Sequence, residues 1–335
     1  METLWFAVNA VFPIVLIIIL GYYLSRIRFF NDEFLMKLNK YVFFVALPVL
    51  LFYNIYQIDT LKDMDLAIVG IALFAGFLLF FLGLLIVRMF VKQQNRKGVV
   101  LQCIFRSNFA IIGLPLATAL GGVESTAIAS VLSAFTIPFF NIMAVISLTI
   151  FMSNGQKIDK KRLIINVMKN PLIIGVFIGI MVLGTREVLS IGRQTPVFSI
   201  ERDIPFLYDA IHKIAVTASP IALLVLGGQF KFKAIKSLFK DISIGVVGRL
   251  VFAPVIGFGV LYLVSALFPT FTVKTEYIPG FIALFGSPVA VSSAVMASQM
   301  KGDDMLASQL VVWTSVLSVF TIFGMIVWFR SMGLL

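Results

Sequence analysis

The chain has 335 residues, of which 60% are hydrophobic and only 13% are charged. A soluble globular protein carries about 25% charged residues, so this composition excludes a water-soluble enzyme and a soluble nucleic-acid-binding protein. The net charge of +11 would suggest anionic partners in a soluble chain, but here the lipid bilayer is the first partner to consider. Because there is one cysteine and one histidine, an internal disulfide is excluded, and no His/Cys metal cluster and no cofactor are expected.

Ten apolar segments lie between the clusters of charged residues, and each is close to or longer than the about 20 residues that cross the hydrocarbon core. We number them spans 1 to 10 in chain order: 5–23, 35–54, 66–90, 99–119, 125–152, 170–188, 206–229, 241–267, 277–299 and 305–329. The polar connectors near 153–169 and 189–205 are too short for a soluble domain. The sequence therefore predicts an all-α polytopic membrane protein with one membrane domain over residues 1–335.

Lysine and arginine are distributed unevenly between the two sides of this predicted membrane region. The connectors after spans 1, 3, 5, 7 and 9, with the adjoining helix ends, carry 18 basic residues, and the opposite side carries seven. Because cytoplasmic loops are enriched in Lys and Arg, the bias predicts a cell-membrane protein with both termini outside. The positive charge then orients the protein and does not imply a nucleic-acid partner.

The two halves of the sequence resemble each other. Residues 131–137 of span 5 (VLSAFTI) nearly repeat as residues 316–322 of span 10 (VLSVFTI), with six of seven positions identical. Five spans separate the pair, and an odd number reverses the direction through the membrane, so we predict inverted repeats over 1–152 and 170–329. This symmetry favours transport, because it permits two related conformations that open to opposite sides. The alternative is a duplication that persists only as a packing solution.

Two prolines occupy equivalent positions in the two halves. Pro115 in span 4 and Pro288 in span 9 lie near mid-span, each two residues after a glycine, Gly113 or Gly286. A proline inside a helix frees main-chain groups, which in lipid need protein or a water-filled cavity as a partner. The pairing predicts two broken helices that cross and bring half-helix N-termini, suited to a carboxylate, into one cavity. The alternative is that each proline only kinks a packed helix.

Five segments carry a likeness to a known family, in an order that covers the chain from about residue 8 to residue 329. They are 19–23 (ILGYY), 38–48 (LNKYVFFVALP), 106–116 (RSNFAIIGLPL), 287–290 (SPVA) and the stretch 314–321 (TSVLSVFT). Through them the chain resembles the auxin efflux carrier family of membrane transporters, which includes plant PIN-FORMED carriers and bacterial organic-acid permeases.

The resemblance implies ten transmembrane helices in a five-plus-five inverted repeat, with helices 4 and 9 broken and crossing at prolines, similar to sodium/proton antiporters and bile-acid symporters. It also implies a homodimer and an organic-anion substrate. Asn108 matches the asparagine that precedes the helix-4 crossover and looks like a substrate contact in the family. Two features depart from the family: Phe323 stands where members often have a proline, and the central connector is short, which favours the bacterial type.

Charged residues are scarce within the spans. None of the 16 acidic residues lies deep in one, which argues against a proton or sodium antiporter that relies on embedded carboxylates. Sodium coupling stays open, because carbonyls and hydroxyls can also bind Na⁺. Arg106 and Arg249 are the only charges well inside spans. We predict a gating or structural role for them, the alternative being side chains that snorkel to the headgroups.

Asn108 is the first candidate for substrate binding, because an amide can donate to a carboxylate without carrying charge. Its alternative role is to hold helices together. The predicted substrate site further includes residues beside the two breaks and one asparagine in span 5, namely Gly113, Pro115, Ser287, Pro288 and Asn141. No metal site is predicted.

These observations lead to one hypothesis and two alternatives. The hypothesis is a secondary carrier that moves a small organic anion, a mono- or dicarboxylate, by alternating access around a site at the membrane midplane. The alternatives are a sodium-coupled organic-anion symporter and a membrane receptor that does not transport. An intramembrane enzyme would need a buried acid pair or a Ser/His arrangement, which the spans lack, so enzymatic activity is not expected.

Overall fold

The computed structural model describes residues 2–57, 66–151, 165, 168–189, 198–230 and 235–335. Every regular element within these ranges is a helix, and none is a strand. In chain order they are α1 (Glu2–Arg26), α2 (Asp32–Tyr41), α3 (Leu47–Tyr56), α4 (Leu66–Phe90), α5 (Gln94–Phe105), α6 (Leu114–Phe151), α7 (Pro171–Leu189), α8 (Ile200–Asp203), α9 (Pro205–Gln229), α10 (Ile235–Val247), α11 (Ala253–Leu267), α12 (Tyr277–Gly286), α13 (Ser292–Gln299) and α14 (Asp304–Ser331). Part of the basic residues used to predict orientation, including those at 62, 157–162, 193, 231 and 233, lies outside the described residues.

Six helical stretches of the described chain are long and apolar enough to cross a membrane. They are Asp32–Tyr56, Leu66–Phe90, Glu124–Phe151, Pro205–Gln229, Ile235–Leu267 and Asp304–Ser331. Large apolar side chains point outward from several of them, such as Phe74, Phe206 and Phe320, whose exposed fractions are 58%, 77% and 66%. An outer surface of this kind is unfavourable in water and suits the hydrocarbon of a bilayer.

Three prolines in predicted spans do not interrupt their helices. Pro48, Pro115 and Pro254 are each the second residue of a helix that directly follows a five-residue π turn (42–46, 109–113 and 248–252). A proline lacks the N–H and displaces the carbonyl one turn back, and a wider preceding turn accommodates both effects. The expectation that span 4 breaks at Pro115 is therefore wrong in position, because the chain passes Pro115 as helix.

Spans 4 and 9 are nevertheless interrupted. In span 4, α5 ends at Phe105 and residues 106–108 are not helical before the π turn begins. In span 9, α12 ends at Gly286, the main chain is irregular over 287–290, and α13 begins at Ser292. Here the break falls at Pro288, as predicted. After its second half, span 4 turns into span 5 at Gly122, whose φ of +64° favours glycine.

Glycine permits two very close helix contacts in the bundle. A Cβ on Gly21 of α1 would collide with the carbonyl oxygen of Leu224 in α9, and a Cβ on Gly175 of α7 would collide with that of Pro48 in α3. Small residues that let backbones approach are a common basis of helix association in membranes, where burial of apolar surface contributes little. Span 1 therefore packs on span 7, and span 6 packs on span 2.

Candidate functional site

The two interrupted spans meet at their breaks. The main-chain N–H of Asn108 donates to the carbonyl oxygen of Pro288 at 2.8 Å. In the second break, the N–H of Val289 donates to Oγ1 of Thr314, in α14, at 3.3 Å. These contacts give unwound main chain inside the bundle partners that neither lipid nor its own helix supplies. Hydrogen bonds therefore connect the break in span 4 with the break in span 9, and the break in span 9 with α14.

Arg249 holds the C-terminal ends of both half-helices that precede the breaks. Its side chain is fully buried and donates from Nη1 to the carbonyl oxygen of Phe105 at 3.2 Å. Nη2 donates to the carbonyl oxygens of Leu284 and Phe285, and Nε to that of Ser287, each at 2.8 Å. The last carbonyls of a helix have no partner within it, and a cation is favoured there by the helix dipole. Arg249 supplies both donors and charge to α5 and α12.

Arg106 occupies the first residue after α5 and is bonded differently. Nη2 donates to Oδ1 of Asn141 and to Oγ of Ser292, both at 2.7 Å. Nη1 lies 3.4 Å from Oγ of Ser293 and 2.7 Å from Sδ of Met296. The side chain is 2% exposed, and no carboxylate of the described residues lies within the 4.0 Å of an ion pair. Its positive charge is thus buried among neutral acceptors.

A small cavity of about 60 Å³ lies beside the breaks. Its polar lining consists of Asn54, Arg106, Ser107, Asn108, Asn141, Ser219 and Ser292. Its apolar lining consists of Leu47, Leu50, Leu51, Ala110, Ile137, Phe140, Ala218, Ala222, Ala290 and Val291. Two buried polar atoms of this lining, Nδ2 of Asn108 and Oγ of Ser107, have no hydrogen-bond partner in the described structure. A cavity with unsatisfied hydrogen-bond donors, in which the single ionisable side chain is that of an arginine, is chemically suited to an anion.

The predicted site residues divide into two groups. Arg106, Asn108 and Asn141 line the cavity. Gly113, Ser287, Pro288 and Arg249 do not line it, and the side chain of Pro115 lies outside the described part of the structure. Ser287 donates from Oγ to the carbonyl oxygen of Ala283, and Pro288 accepts from Asn108, so both residues shape the second break.

Neither buried arginine extends to the surface of the protein. Arg106 is 2% exposed and Arg249 is fully buried, and both make hydrogen bonds inside the bundle. The alternative of side chains that snorkel to the headgroups is therefore wrong. The prediction favoured roles other than substrate contact for both residues, but Arg106 lines the cavity and Arg249 does not.

Sequence reasoning missed four polar residues of the lining, namely Asn54, Ser107, Ser219 and Ser292. Ser107 is adjacent to Asn108, and Ser292 begins the half-helix after Pro288, so their proximity to the breaks was a usable signal. Asn54 and Ser219 lie in spans 2 and 7, which do not break. Only the packing of these spans against the breaks brings them to the cavity.

An ion-pair cluster anchors the other end of the broken span 4. Nε of Arg96, in the first turn of α5, donates to Asp303 at 2.8 Å, and Nη1 donates to Asp241 at 3.0 Å. Burial lowers the pKa of Arg96, but the hydrogen bonds that it donates to the two carboxylates, together with their negative charges, outweigh this effect and raise the pKa above its usual value. Asp303 also caps α14 by accepting from the N–H of Leu306. The cluster joins the starts of α5 and α14 to the middle of α10.

Comparison with known proteins identifies the family of the chain. A family profile described as "Membrane transport protein" matches residues 6–326 of the chain. A protein of Rhizobium meliloti (strain 1021) named "Putative malonate transporter" is 24% identical over 330 residues, which cover 96% of this chain and 95% of that protein. The match over nearly the whole length confirms the resemblance to the auxin efflux carriers. The chain belongs to this family of membrane transport proteins.

Proposed function

We propose that the chain is a secondary carrier that moves a small organic anion, a mono- or dicarboxylate, across the cell membrane. The observation that carries this proposal is the cavity beside the breaks. In it, the amide Nδ2 of Asn108 is an unsatisfied hydrogen-bond donor, and Arg106 is the single ionisable lining residue of the described chain. Anions are attracted to such a wall because nothing in it cancels the positive charge. A relative whose name specifies malonate supports an organic-acid substrate.

In this proposal, Asn108 donates its Nδ2 hydrogens to a substrate carboxylate, and Arg106 and Asn141 set the charge and shape of the cavity wall. An amide that is already desolvated and unpaired gains a full hydrogen bond when the substrate enters. The other predicted site residues support the main chain on either side of this contact, namely Gly113, Pro115, Ser287 and Pro288.

We further propose that the fold comprises ten spans in two inverted repeats, 1–152 and 170–329, within one membrane domain. The six long helices, the two interrupted spans and the apolar helices Val15–Arg26 and Pro171–Arg186 are compatible with this number. The packing of span 1 on span 7 corresponds to that of span 6 on span 2 when the halves are exchanged. Such exchange is the basis of alternating access, in which one bundle moves against the other around a fixed site.

The proposed setting is a bacterial cytoplasmic membrane, with both termini outside and the protein present as a homodimer. The orientation is supported by the Lys and Arg bias, which places the Arg96 cluster on the cytoplasmic side. The cavity would then exchange substrate between the two aqueous phases without a cofactor or metal.

Uptake into liposomes tests the proposed function. Purified protein reconstituted into liposomes should take up labelled malonate or another small organic acid, and Asn108→Ala should reduce the initial rate at least about tenfold. Asn95→Ala is the matched control, because this asparagine is exposed at the start of α5 and lies away from the cavity. Thermal unfolding of each variant in detergent verifies that it is folded.

Three outcomes separate the alternatives. Uptake that stops when Na⁺ is replaced by K⁺ would identify a sodium-coupled symporter. Binding of the acid without flux would identify a receptor. Normal uptake by folded Asn108→Ala protein would contradict the proposed site.

A further inference from the structure

We infer that the cavity selects a dianion, a dicarboxylate with both carboxylates ionised, and that Arg106 is the residue that sets this specificity. The inference rests on the proposed function and narrows its substrate class. It comes from the way the two broken spans divide their helix ends between the two buried arginines.

The N-terminal ends of both half-helices that follow the breaks lie at the cavity. In span 9, α13 begins at Ser292, and Ala290 and Val291 before it line the cavity. In span 4, the helical turns resume after Asn108, and both Asn108 and Ala110 line the cavity. A helix N-terminus carries roughly half an elementary positive charge and presents free N–H groups to a ligand.

The C-terminal ends of the preceding half-helices are electrically balanced. They carry a comparable negative charge, and the guanidinium of Arg249 binds the carbonyl oxygens of Phe105, Leu284 and Phe285 at these ends. One full positive charge thus faces about two half negative charges. Arg249 does not line the cavity, so none of this charge is available to a substrate.

At the cavity, the positive charges of the helix N-termini and of Arg106 are not balanced by a negative charge of the described residues. Arg106 is hydrogen-bonded to Ser292 in the first turn of α13, so a full positive charge lies beside helix ends that are themselves positive. Its other acceptors, such as Asn141, are neutral, and no described carboxylate pairs with it. The wall therefore carries about two uncompensated positive charges, and a dianion is the ligand that neutralises them.

The cavity also offers more hydrogen-bond donors than one carboxylate can accept from. The Nε–H of Arg106 and the main-chain N–H groups of Ala290 and Val291 have no acceptor among the described residues, and neither does Nδ2 of Asn108. These groups present five hydrogens, whereas one carboxylate has two oxygens and about four lone-pair directions. A second carboxylate would accept from the donor that the first leaves.

The test compares ligands of the same carbon skeleton in which a carboxamide replaces one of the two carboxylates and removes one negative charge. The purified full-length protein is titrated at neutral pH with malonate and with its half-amide, malonamate, and with succinate and succinamate, while binding is followed by calorimetry. We expect the wild-type protein to bind each diacid at least about tenfold more tightly than its half-amide. Arg106→Gln should reduce this affinity ratio to below about threefold. Arg106→Lys keeps the positive charge and should retain a ratio above about threefold. Arg88→Gln, at an exposed arginine at the end of α4, should leave the ratio unchanged.

The outcomes are distinguishable. Wild-type protein that binds the half-amides as tightly as the diacids overturns the inference, whether or not the Arg106 variants fold. A folded Arg106→Gln protein that keeps a tenfold preference overturns the role of Arg106. Binding or uptake confined to monocarboxylates would leave the proposed function intact and refute dianion selection, whereas wild-type protein that binds and transports no organic acid would refute both.

Discussion

The N–H of Asn108 and the carbonyl oxygen of Pro288 form a 2.8 Å hydrogen bond between the unwound segments of two different spans. Because unsatisfied main-chain groups cost several kcal/mol each in hydrocarbon, the two breaks stabilise each other and neither is expected to persist alone. Arg249 binds the carbonyls on one side of the breaks, and Arg106 lies beside the N–H groups on the other. Arg249 thus stabilises the fold, and we propose that Arg106 binds the ligand.

A carboxylate introduced beside Arg106 should block anion uptake. Oδ1 of Asn141 already accepts from Nη2 of Arg106 at 2.7 Å, so Asn141→Asp places a negative charge at ion-pair distance. The new carboxylate neutralises the positive charge of Arg106, which we propose binds the substrate. Uptake should then fall at least about tenfold, or ~1.4 kcal/mol. Initial rates in liposomes measure this effect. Asn95→Asp makes the same chemical change at an exposed site and should transport normally; equal rates for the two variants would contradict the assigned role of Arg106.

Removal of the buried guanidinium of Arg249 should destabilise the whole fold. Arg249→Gln leaves most of its four carbonyl acceptors without a donor, and each buried unpaired group costs about 1–3 kcal/mol. We expect a loss of about 3 kcal/mol or more, or a failure to accumulate folded protein. Thermal unfolding in detergent measures the loss, with Arg88→Gln as an exposed arginine control. Wild-type stability in Arg249→Gln would show that the capping contacts are dispensable.

The Arg96 cluster should show measurable coupling between its members. Arg96→Gln and Asp303→Asn each break the 2.8 Å ion pair, and asparagine can still cap α14. Since the paired side chains are 17% and 14% exposed, solvent screens the pair only in part, and we expect a coupling free energy of about 1 kcal/mol. A double-mutant cycle of unfolding free energies measures it, and 1 M salt should reduce it. Strictly additive effects of the two substitutions would refute the coupling.

Close contact between α1 and α9 should make Gly21 intolerant of a side chain. Gly21→Ala directs a methyl group at the main chain of Leu224, which cannot move aside as a side chain would. Overpacking of this kind costs about 1–3 kcal/mol. Gly70→Ala is the matched control, because nothing lies within 4 Å of a Cβ there and alanine is the better helix former. The unfolding midpoint should fall for Gly21→Ala and stay level or rise for Gly70→Ala; the reverse order would contradict the packing.

Much of this architecture follows from the sequence, because its signals are local. Apolar segments of membrane-spanning length, charge at their ends and a proline at mid-span are read directly, and they predicted the helical fold and the break at Pro288. The resemblance to a known family predicts a substrate contact at Asn108, from its position before the crossover. That Nδ2 of Asn108 has no hydrogen-bond partner follows only from the three-dimensional packing.

The remaining features depend on tertiary contacts. A π turn accommodates Pro115 within the helix, and the break lies at residues 106–108, which contain no proline to mark it. The two arginines look alike in sequence, each a lone charge within a span, and only their acceptors distinguish them. Arg249 meets carbonyl oxygens, whereas Arg106 meets neutral side chains at the cavity.

Counterflow tests the central claim, that the chain is an organic-anion carrier, most directly. Liposomes that contain the protein are loaded with unlabelled malonate and diluted into a trace of labelled malonate. A carrier that exchanges substrate through one site should accumulate label inside transiently above its outside concentration, and Asn108→Ala should abolish this peak. Label that only equilibrates, or that never enters the liposomes when malonate and other small organic acids are tested in turn, would contradict the account.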